Sequence, residues 1–194
     1  GYVLGLLDAF GRLHKKYPRI RLIVIGSGKD EAVFLDKLAQ MPADARAAVK
    51  HAGTVPYDAL DAYFAQASVY IGIATTLLDA SNAGLLCISA GVNAYACRSG
   101  GFFFENPYDI IGYGGTVPAE DVLERTIGFS PEEYMEHTRR NYRVFRAIYD
   151  LDAVMAQLGA VSNTSPRPTL SKARLFFIKA ARRCLDTLLR LKAG

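Results

Sequence analysis

The amino-acid sequence predicts an α/β fold, an open doubly wound parallel sheet with helices on both faces. Short apolar runs of four to six residues alternate along the chain with segments whose apolar residues recur at helical spacing. The runs are apolar at nearly every position, which is typical of strands buried on both faces of a parallel sheet. The chain has 194 residues, 51% of them hydrophobic, which is enough for one ordinary core.

Each element follows from its local pattern. The first helix rests on Val3, Leu6, Leu7, Phe10 and Leu13, which share one helical face. The apolar, β-branched runs predict strands at 20–25, 51–55, 69–73, 85–90 and 101–105. Helical periodicity and capping residues predict helices at 2–16, 30–40, 43–50, 59–67, 76–83, 118–128 and 130–148.

The segment SPEE marks the start of the longest predicted helix. Ser130 takes the N-cap position, Pro131 the first helical position and Glu133 the third. This spacing is that of a capping box with proline at the first turn.

Charge is distributed unevenly between the body of the chain and its tail. Residues 1–165 carry 15 Lys/Arg and 18 Asp/Glu, whereas residues 166–194 carry eight Lys/Arg and one Asp. A nucleic-acid-binding domain normally has its basic face on the folded core, so this distribution argues against a nucleic-acid partner.

The tail predicts an amphipathic helix at 171–194 with a basic stripe, formed by Lys172, Lys179, Arg183 and Arg190. It has two interpretations, packing against a folded lobe or docking on an anionic membrane surface. Packing is favoured because Phe177, Leu185 and Leu188 would otherwise be exposed. Liposome co-sedimentation with and without residues 166–194 separates the two, since equal binding by both proteins would exclude docking.

The cysteines and the chain start indicate the setting of the protein. Cys87, Cys97 and Cys184 form an odd, scattered set that fits neither a metal site nor a disulfide framework, so a cytoplasmic location is expected. The sequence begins within a helical pattern at Gly1, without the layout of a signal peptide, and we expect it to be a piece of a longer protein.

In an open α/β sheet, ligands bind beyond the carboxyl ends of the strands. The loop after the first strand contains Gly26, Ser27 and Gly28. A dinucleotide fingerprint would need a small residue at position 31, which is Glu31, so NAD binding is disfavoured. Two interpretations remain: a glycine turn needed only for positive φ, or a loop that lines a nucleotide site through its backbone.

The segment TTLLDASNAG is the most informative of the candidate sites. Thr75 and Thr76 stand where a strand ends and a helix begins, where free N–H groups and hydroxyls favour a phosphate. Asp79 lies about one turn further, and its two oxygens could accept both hydroxyls of a ribose. Alternatively, Asp79 only complements the helix dipole.

Other polar residues carry weaker predictions. Asn93 and Arg98 lie in a glycine-bounded loop at another strand end, and Arg98 is more simply a solvated surface residue than a phosphate ligand. His51 begins an extended turn and is a minor candidate. No catalytic nucleophile, paired carboxylates or metal-ligand spacing is found, so the catalytic residues are not assigned and no metal is expected.

Seven segments of the chain carry a resemblance to a known family. They are LLDAFGRLHKKYPRIRLIVIGSG (6–28), KHAGTV (50–55), LDAYFAQA (60–67), ASVYIGI (67–73), LLDASNAGLLCI (77–88), SPEEYMEHTRRNYRVF (130–145) and LDAVMAQL (151–158). Their order and spacing resemble the carboxyl-terminal half of a GT-B glycosyltransferase of the large retaining family called group 1. The similarity covers about residues 2–160.

The resemblance implies a nucleotide-diphosphate sugar as substrate and no bound cofactor or metal. It places Gly26–Gly28 along the pocket, the backbone of Val55 at the base, the first turn Thr75–Leu77 at the diphosphate, and Asp79 at the ribose. It also implies an acceptor site, for a glycan or a lipid-linked molecule, on an amino-terminal domain.

The chain departs from the family pattern in two ways. The first acid of the family's pair would fall at Ile71, within a predicted strand, and the loop that usually holds it is about six residues shorter. The family's first strand and its basic phosphate-binding residues would precede Gly1.

Three functions are therefore carried forward. The first is transfer of a sugar from a nucleotide-diphosphate sugar in polysaccharide or glycoconjugate assembly. The second is a non-catalytic, degenerate GT-B module for binding or scaffolding, and the third is a nucleotide-sugar epimerase. The predicted organisation is a nucleotide-sugar-binding Rossmann-like lobe at 1–160, a linker at 161–170 and the basic helix at 171–194. A peripheral contact with the inner membrane face is the alternative to a purely cytoplasmic location.

Overall fold

The computed structural model describes residues 1–92, 96–113 and 115–164, with the side chains of 161–164 excepted. Two compact units divide the chain, Gly1–Val154 and Met155–Gly194. The described part of the second unit is helical through Thr164, so the first four residues of the predicted linker belong to a helix. The predicted basic helix 171–194, the remainder of the linker and Asn93 lie outside the described residues.

Helices and strands alternate along most of the first unit. The helices are α1 Tyr2–Lys16, α2 Glu31–Ala39, α3 Ala43–Ala47, α4 Leu60–Phe64, α5 Ala74–Asn82, α6 Ala119–Ile127, α7 Pro131–Ile148 and α8 Leu151–Thr164. The strands are β1 Leu22–Ile25, β2 Val49–Gly53, β3 Val69–Gly72, β4 Leu86–Ala90, β5 Arg98–Phe102 and β6 Val117–Pro118.

The strands form two sheets rather than one continuous sheet. Strands β1 and β2 pair in parallel, and the second sheet has the order β3-β4-β5-β6. Within it β3 and β4 are parallel, whereas β5 and β6 are antiparallel additions at one side. The α/β class with parallel pairs is confirmed, and the break between β1 and β3 is a feature that the sequence did not predict.

The predicted strand at 101–105 is displaced toward the amino terminus. The strand is Arg98–Phe102, and Phe103–Glu105 form a single 3₁₀ turn. The Glu105 carboxylate accepts a hydrogen bond from the Phe102 amide at 3.1 Å, which closes this turn. The aromatic run predicted a strand as far as Glu105. Phe103 and Phe104 instead lie in the turn after the strand, and their side chains are buried there.

The core lies on both faces of β4, whose five residues are all buried. One cluster includes Leu77, Cys87 and Phe103, and the other includes Leu86 and Ile88. Burial raises the pKa of the Cys87 thiol to about 12 and that of Cys97 to about 11. Both thiols are free, and they are poor nucleophiles at neutral pH because so little thiolate forms.

The predicted capping box of helix α7 is confirmed. The Ser130 hydroxyl accepts a hydrogen bond from the Glu133 amide at 3.2 Å, and the Glu133 carboxylate accepts one from the Ser130 amide at 2.8 Å. Both donors would otherwise lack a helix carbonyl, because the first turn has no preceding turn to bond to.

Replacing Ser130 by Ala is expected to lower the free energy of unfolding by about 1 kcal/mol, because the Glu133 amide loses its acceptor. Urea unfolding followed by circular dichroism measures the change. Ser130→Thr is the matched control and should stay near wild type, since it keeps the hydroxyl. Equal losses in the two variants would show that the cap does not stabilise α7.

Among the described residues, the helices are all too short or too polar to cross a bilayer.

Candidate functional site

The glycine loop after β1 is held against the end of β2. The Gly26 amide donates to the Gly53 carbonyl at 2.7 Å, and the Ser27 and Thr54 hydroxyl oxygens lie 2.5 Å apart. Gly26 has a φ of 112°, a conformation that side-chain-bearing residues rarely adopt. The loop therefore turns sharply at the end of its strand, and Ser27 and Gly28 stay exposed.

His51 fixes this loop from the neighbouring strand. Its Nε2 atom lies 3.2 Å from the Gly26 carbonyl oxygen and 3.7 Å from a Glu31 carboxylate oxygen. Its ring packs at 4.9 Å from the ring of Phe34. His51 was only a minor candidate in the sequence, because a lone histidine in an extended segment has no local pattern that reveals its partners.

The start of helix α5 presents free amides, as expected from the TT segment. The helix begins at Ala74, two residues before the predicted start, and Ala74 has a φ of 59°. The Ala74 amide donates to the Ile110 carbonyl at 2.6 Å. The next two amides, of Thr75 and Thr76, have no helix carbonyl to bond to, since they precede the first helical hydrogen bond. These two amides are the donors that an anion would meet.

The side chains of Thr75, Thr76 and Leu77 differ in whether they are available to a ligand. The Thr75 side chain is exposed. The Thr76 hydroxyl donates to the Ile73 carbonyl at 3.1 Å and accepts from the Tyr70 hydroxyl at 2.8 Å, so it is already engaged within the fold. Leu77 is completely buried in the core, and only its backbone lies near the turn.

Asp79 lies on the same face of α5 as Thr75, four residues further along the helix. Its Oδ1 atom accepts a hydrogen bond from the Tyr57 hydroxyl at 2.9 Å. That bond to a carboxylate raises the pKa of Tyr57, whose side chain is otherwise 73% exposed. Tyr57 is a site residue that the sequence analysis missed, because nothing in its local pattern links it to a helix twenty residues away.

The segment between Thr54 and Tyr57 joins these two features. Thr54 contacts Ser27 of the glycine loop, and three residues later Tyr57 contacts Asp79 of α5. Three residues span at most about 11 Å. The glycine loop, the half-buried Val55 and Asp79 of α5 are therefore brought to one rim of the fold.

A cavity of about 250 Å³ opens beside Asp79, and Asp58 and Asp61 also line it. Ionised carboxylates only accept hydrogen bonds. This end of the rim suits groups that donate, such as sugar hydroxyls, whereas the amide end of α5 suits an anion. Among the described residues, no group of three or more His, Cys, Asp or Glu side chains is arranged to hold a metal ion.

Arg98 does not point toward a free anion position. Its guanidinium donates to the backbone carbonyls of Gly115, at 3.2 Å, and Thr116. It therefore ties β5 to the segment that leads into β6, which agrees with the preference against a phosphate ligand.

Comparison with known proteins adds a likeness in fold. Among solved structures the chain is similar to the α,α-trehalose 6-phosphate synthase from Burkholderia multivorans, with 16% sequence identity and a TM-score of 0.48. The match covers 86% of this chain and 42% of that protein, so the chain spans less than half its length. At this identity and TM-score the likeness carries no inference about activity. No family model and no curated protein matches the chain.

Proposed function

We propose that this chain is the donor-binding lobe of a glycosyltransferase that uses a nucleotide-diphosphate sugar. The observation that carries the proposal is the rim on which Thr54 and Tyr57 join the glycine loop to Asp79 of α5. It combines backbone donors for an anion with a carboxylate acceptor for hydroxyls, which are the two chemistries of a nucleoside diphosphate.

The groups of a nucleoside diphosphate have separate places on this rim. The diphosphate lies at the first turn of α5, where the amides of Thr75 and Thr76 donate and the helix dipole favours negative charge. The ribose lies against Asp79, and the base lies along the backbone at Val55. Gly26–Gly28 line the pocket through main-chain atoms, because a side chain at Gly26 would be strained.

The lobe contributes alignment of the donor and stabilisation of the leaving diphosphate, which are electrostatic and positional effects. No cofactor or metal enters this proposal. The acceptor, a glycan or a lipid-linked molecule, binds on an amino-terminal domain, and the reaction belongs to polysaccharide or glycoconjugate assembly. The setting is cytoplasmic, and contact of residues 171–194 with the inner membrane face is the alternative stated above.

UDP or GDP is expected to bind the chain at least tenfold more tightly than uridine or guanosine, because only the diphosphates meet the α5 amides. Hydrogen bonds to a charged group are worth about 1.5–3 kcal/mol each. Isothermal titration calorimetry of the four ligands at low and at high salt measures the difference. Equal binding of diphosphates and nucleosides, or binding of none of the four, would refute the proposed site.

The second candidate is a non-catalytic GT-B module, and one observation favours it. Position 71, where the resemblance would place the first acid of the pair, is an isoleucine within β3. Incubation of the full-length protein with UDP- and GDP-sugars separates the candidates, with release of the diphosphate as readout. Binding without turnover in the full-length protein supports the module, whereas release of diphosphate supports the transferase. Interconversion of one nucleotide sugar into another would instead indicate an epimerase.

A further inference from the structure

The loop 106–113, which follows the 3₁₀ turn after β5, lies beside the start of helix α5. The Ile110 carbonyl accepts a hydrogen bond from the Ala74 amide at 2.6 Å. This contact joins the loop to the residue directly before Thr75 and Thr76, whose amides the proposed function assigns to the diphosphate. The loop is therefore an immediate neighbour of the candidate nucleotide site.

Two further contacts fix the backbone of this loop. The Tyr149 hydroxyl donates to the Pro107 carbonyl at 2.8 Å. Gly112 has a φ of 68°, and a Cβ atom at this position would overlap the Ala90 carbonyl at the end of β4. The loop is thus held at residues 107, 110 and 112, and a ligand that binds it would lose little free energy in ordering it.

Two tyrosines of the loop are almost fully exposed. Tyr108 is 77% exposed and Tyr113 is 78% exposed, and the Tyr113 amide donates to the Asp109 carboxylate at 2.9 Å. Single exposed apolar residues are common on proteins, but two aromatic rings on one anchored loop beside a candidate site are typical of a recognition surface. Tyrosine offers an apolar ring face and a hydroxyl, with few torsions to lose on binding. A pyranose ring matches this chemistry, because it has a face of C–H groups and an edge of hydroxyls.

The order of groups in a nucleotide-diphosphate sugar brings its sugar close to this loop. In the proposed function the base lies at Val55, the ribose at Asp79 and the diphosphate at the first turn of α5. The sugar is attached to the outer phosphate, so it continues past that turn. The loop contacts the turn through Ile110, and two residues span at most about 7 Å, so the backbone of Tyr108 lies close to the position of the sugar.

The connection from β3 to α5 is too short to hold a sugar by itself. Strand β3 ends at Gly72 and helix α5 begins at Ala74, so Ile73 alone joins them. The acidic residue that the resemblance would place there is replaced by Ile71, within the strand. Contacts with the sugar therefore have to come from a neighbouring segment, and the loop 106–113 is bonded to this connection.

We propose that the loop 106–113 is a sugar-binding platform, on which Tyr108 and Tyr113 pack against the pyranose ring of the donor. This inference rests on the proposed function and extends it from the nucleotide to the sugar. Asp109 is the only charged side chain in 106–113, so a neutral hexose suits the loop better than a uronic acid. The platform binds and orients the sugar, and it forms or breaks no bond.

Tyr108→Ala and Tyr113→Ala are each expected to weaken binding of UDP-glucose or GDP-mannose roughly three- to tenfold, because the sugar loses an aromatic face. Binding of UDP and GDP should not change, since these ligands have no sugar beyond the diphosphate. Isothermal titration calorimetry of the four ligands measures both affinities. Tyr108→Phe and Tyr113→Phe are the matched controls, which keep the ring and should retain most of the affinity. Unchanged binding of the nucleotide sugars, or equal losses for nucleotides and nucleotide sugars, would overturn the proposal.

The chain contains no tryptophan, so Tyr108→Trp and Tyr113→Trp each introduce a single fluorophore at the platform. UDP-glucose or GDP-mannose should change its emission, whereas UDP and GDP should not. Methyl glucoside and methyl mannoside at high concentration probe the loop without a nucleotide. If UDP and GDP do not bind the wild-type chain, the proposed function fails and the glycosides decide the platform separately. Emission that neither glycoside changes would then overturn it, and a change with either would support it.

Discussion

Replacing Asp79 by Ala is expected to weaken UDP or GDP binding about 10- to 150-fold, because the ribose hydroxyls lose their charged acceptor. Stability should change little, since the bond that Asp79 makes to the exposed Tyr57 hydroxyl lies at the surface. Calorimetric titration and thermal melts of the same variant separate the two effects. Asp79→Asn should retain part of the affinity, because an amide oxygen still accepts a hydrogen bond.

Asp61→Ala is the matched control for this prediction. Asp61 lines the same cavity as Asp79 but lies on helix α4 and has no place in the proposed nucleotide contacts. Its removal tests whether loss of negative charge alone changes affinity. A similar change of nucleotide affinity in both variants would mean that Asp79 acts through its negative charge in the cavity and not as a ribose ligand.

The competing interpretation is that Asp79 only complements the dipole of α5. It predicts a loss of about 0.3–1 kcal/mol of stability and unchanged nucleotide affinity. The structure weakens this alternative, because α5 begins at Ala74 and Asp79 therefore lies beyond its first turn. Dipole interactions fall off within the first turn of a helix. Unchanged nucleotide affinity in Asp79→Ala would nevertheless support the interpretation that Asp79 only complements the helix dipole.

Replacing Asn141 by Ala is expected to lower the free energy of unfolding by about 2–4 kcal/mol. The buried Cys87 amide loses its acceptor, the Leu85 carbonyl keeps only the weak bond from the Cys87 thiol, and a small cavity opens. The fully buried Asn141 amide donates to the Leu85 carbonyl at 3.2 Å, and its oxygen accepts from the Cys87 amide at 3.4 Å. Urea unfolding measures the loss.

The size of this effect follows from where Asn141 lies. The pairing of β4 with β5 extends only as far as Ile88 and Phe102, after which the chain leaves the sheet in a 3₁₀ turn. The backbone groups of Leu85 and Cys87 lie beyond that pairing, and the side chain of Asn141 from α7 bonds them instead. It thereby anchors helix α7 to the central strand.

Arg143→Ala is the control on the same helix. The Arg143 side chain is exposed, and its ion pair with Glu136 spans 3.8 Å, so its loss should change stability by no more than about 0.5 kcal/mol. Asn141→Asp keeps an acceptor for the Cys87 amide but sets a carboxylate oxygen against the Leu85 carbonyl in a fully buried site, so at neutral pH it should lose at least as much stability as Asn141→Ala. A loss in Asn141→Ala no larger than that of Arg143→Ala would contradict the anchoring role.

Much of the candidate site could be predicted from local sequence. A glycine pair directly after an apolar strand indicates a sharp turn. Gly26 has the positive φ that is typical of glycine in such a turn. Two threonines between a strand and a helix indicate a helix start with free amides, which is where Thr75 and Thr76 lie. The binding roles of these residues, and of Ser27, Gly28, Val55, Leu77 and Asp79, remain predictions.

The parts of the site that were missed depend on distant residues. Tyr57 bonds Asp79, and His51 approaches the Gly26 carbonyl, each across more than twenty residues of chain. A hydrogen bond between separate elements leaves no periodic trace in either one. Only the path of the backbone from β2 into α4 brings these side chains to the rim.

By itself, the sequence determined most of the helices and strands, and where α7 begins, but it displaced β5 and missed β6. Helical periodicity, strand apolarity and the Ser130–Glu133 cap are local properties, set by which face of a segment is buried and which amides need acceptors. Tertiary structure alone decided the direction of β5 and β6, the gap between β1 and β3, and the bonding of β4 by Asn141. Strand pairing joins backbone groups that are identical in every residue, so side-chain patterns report that a strand is buried but not which strand lies beside it.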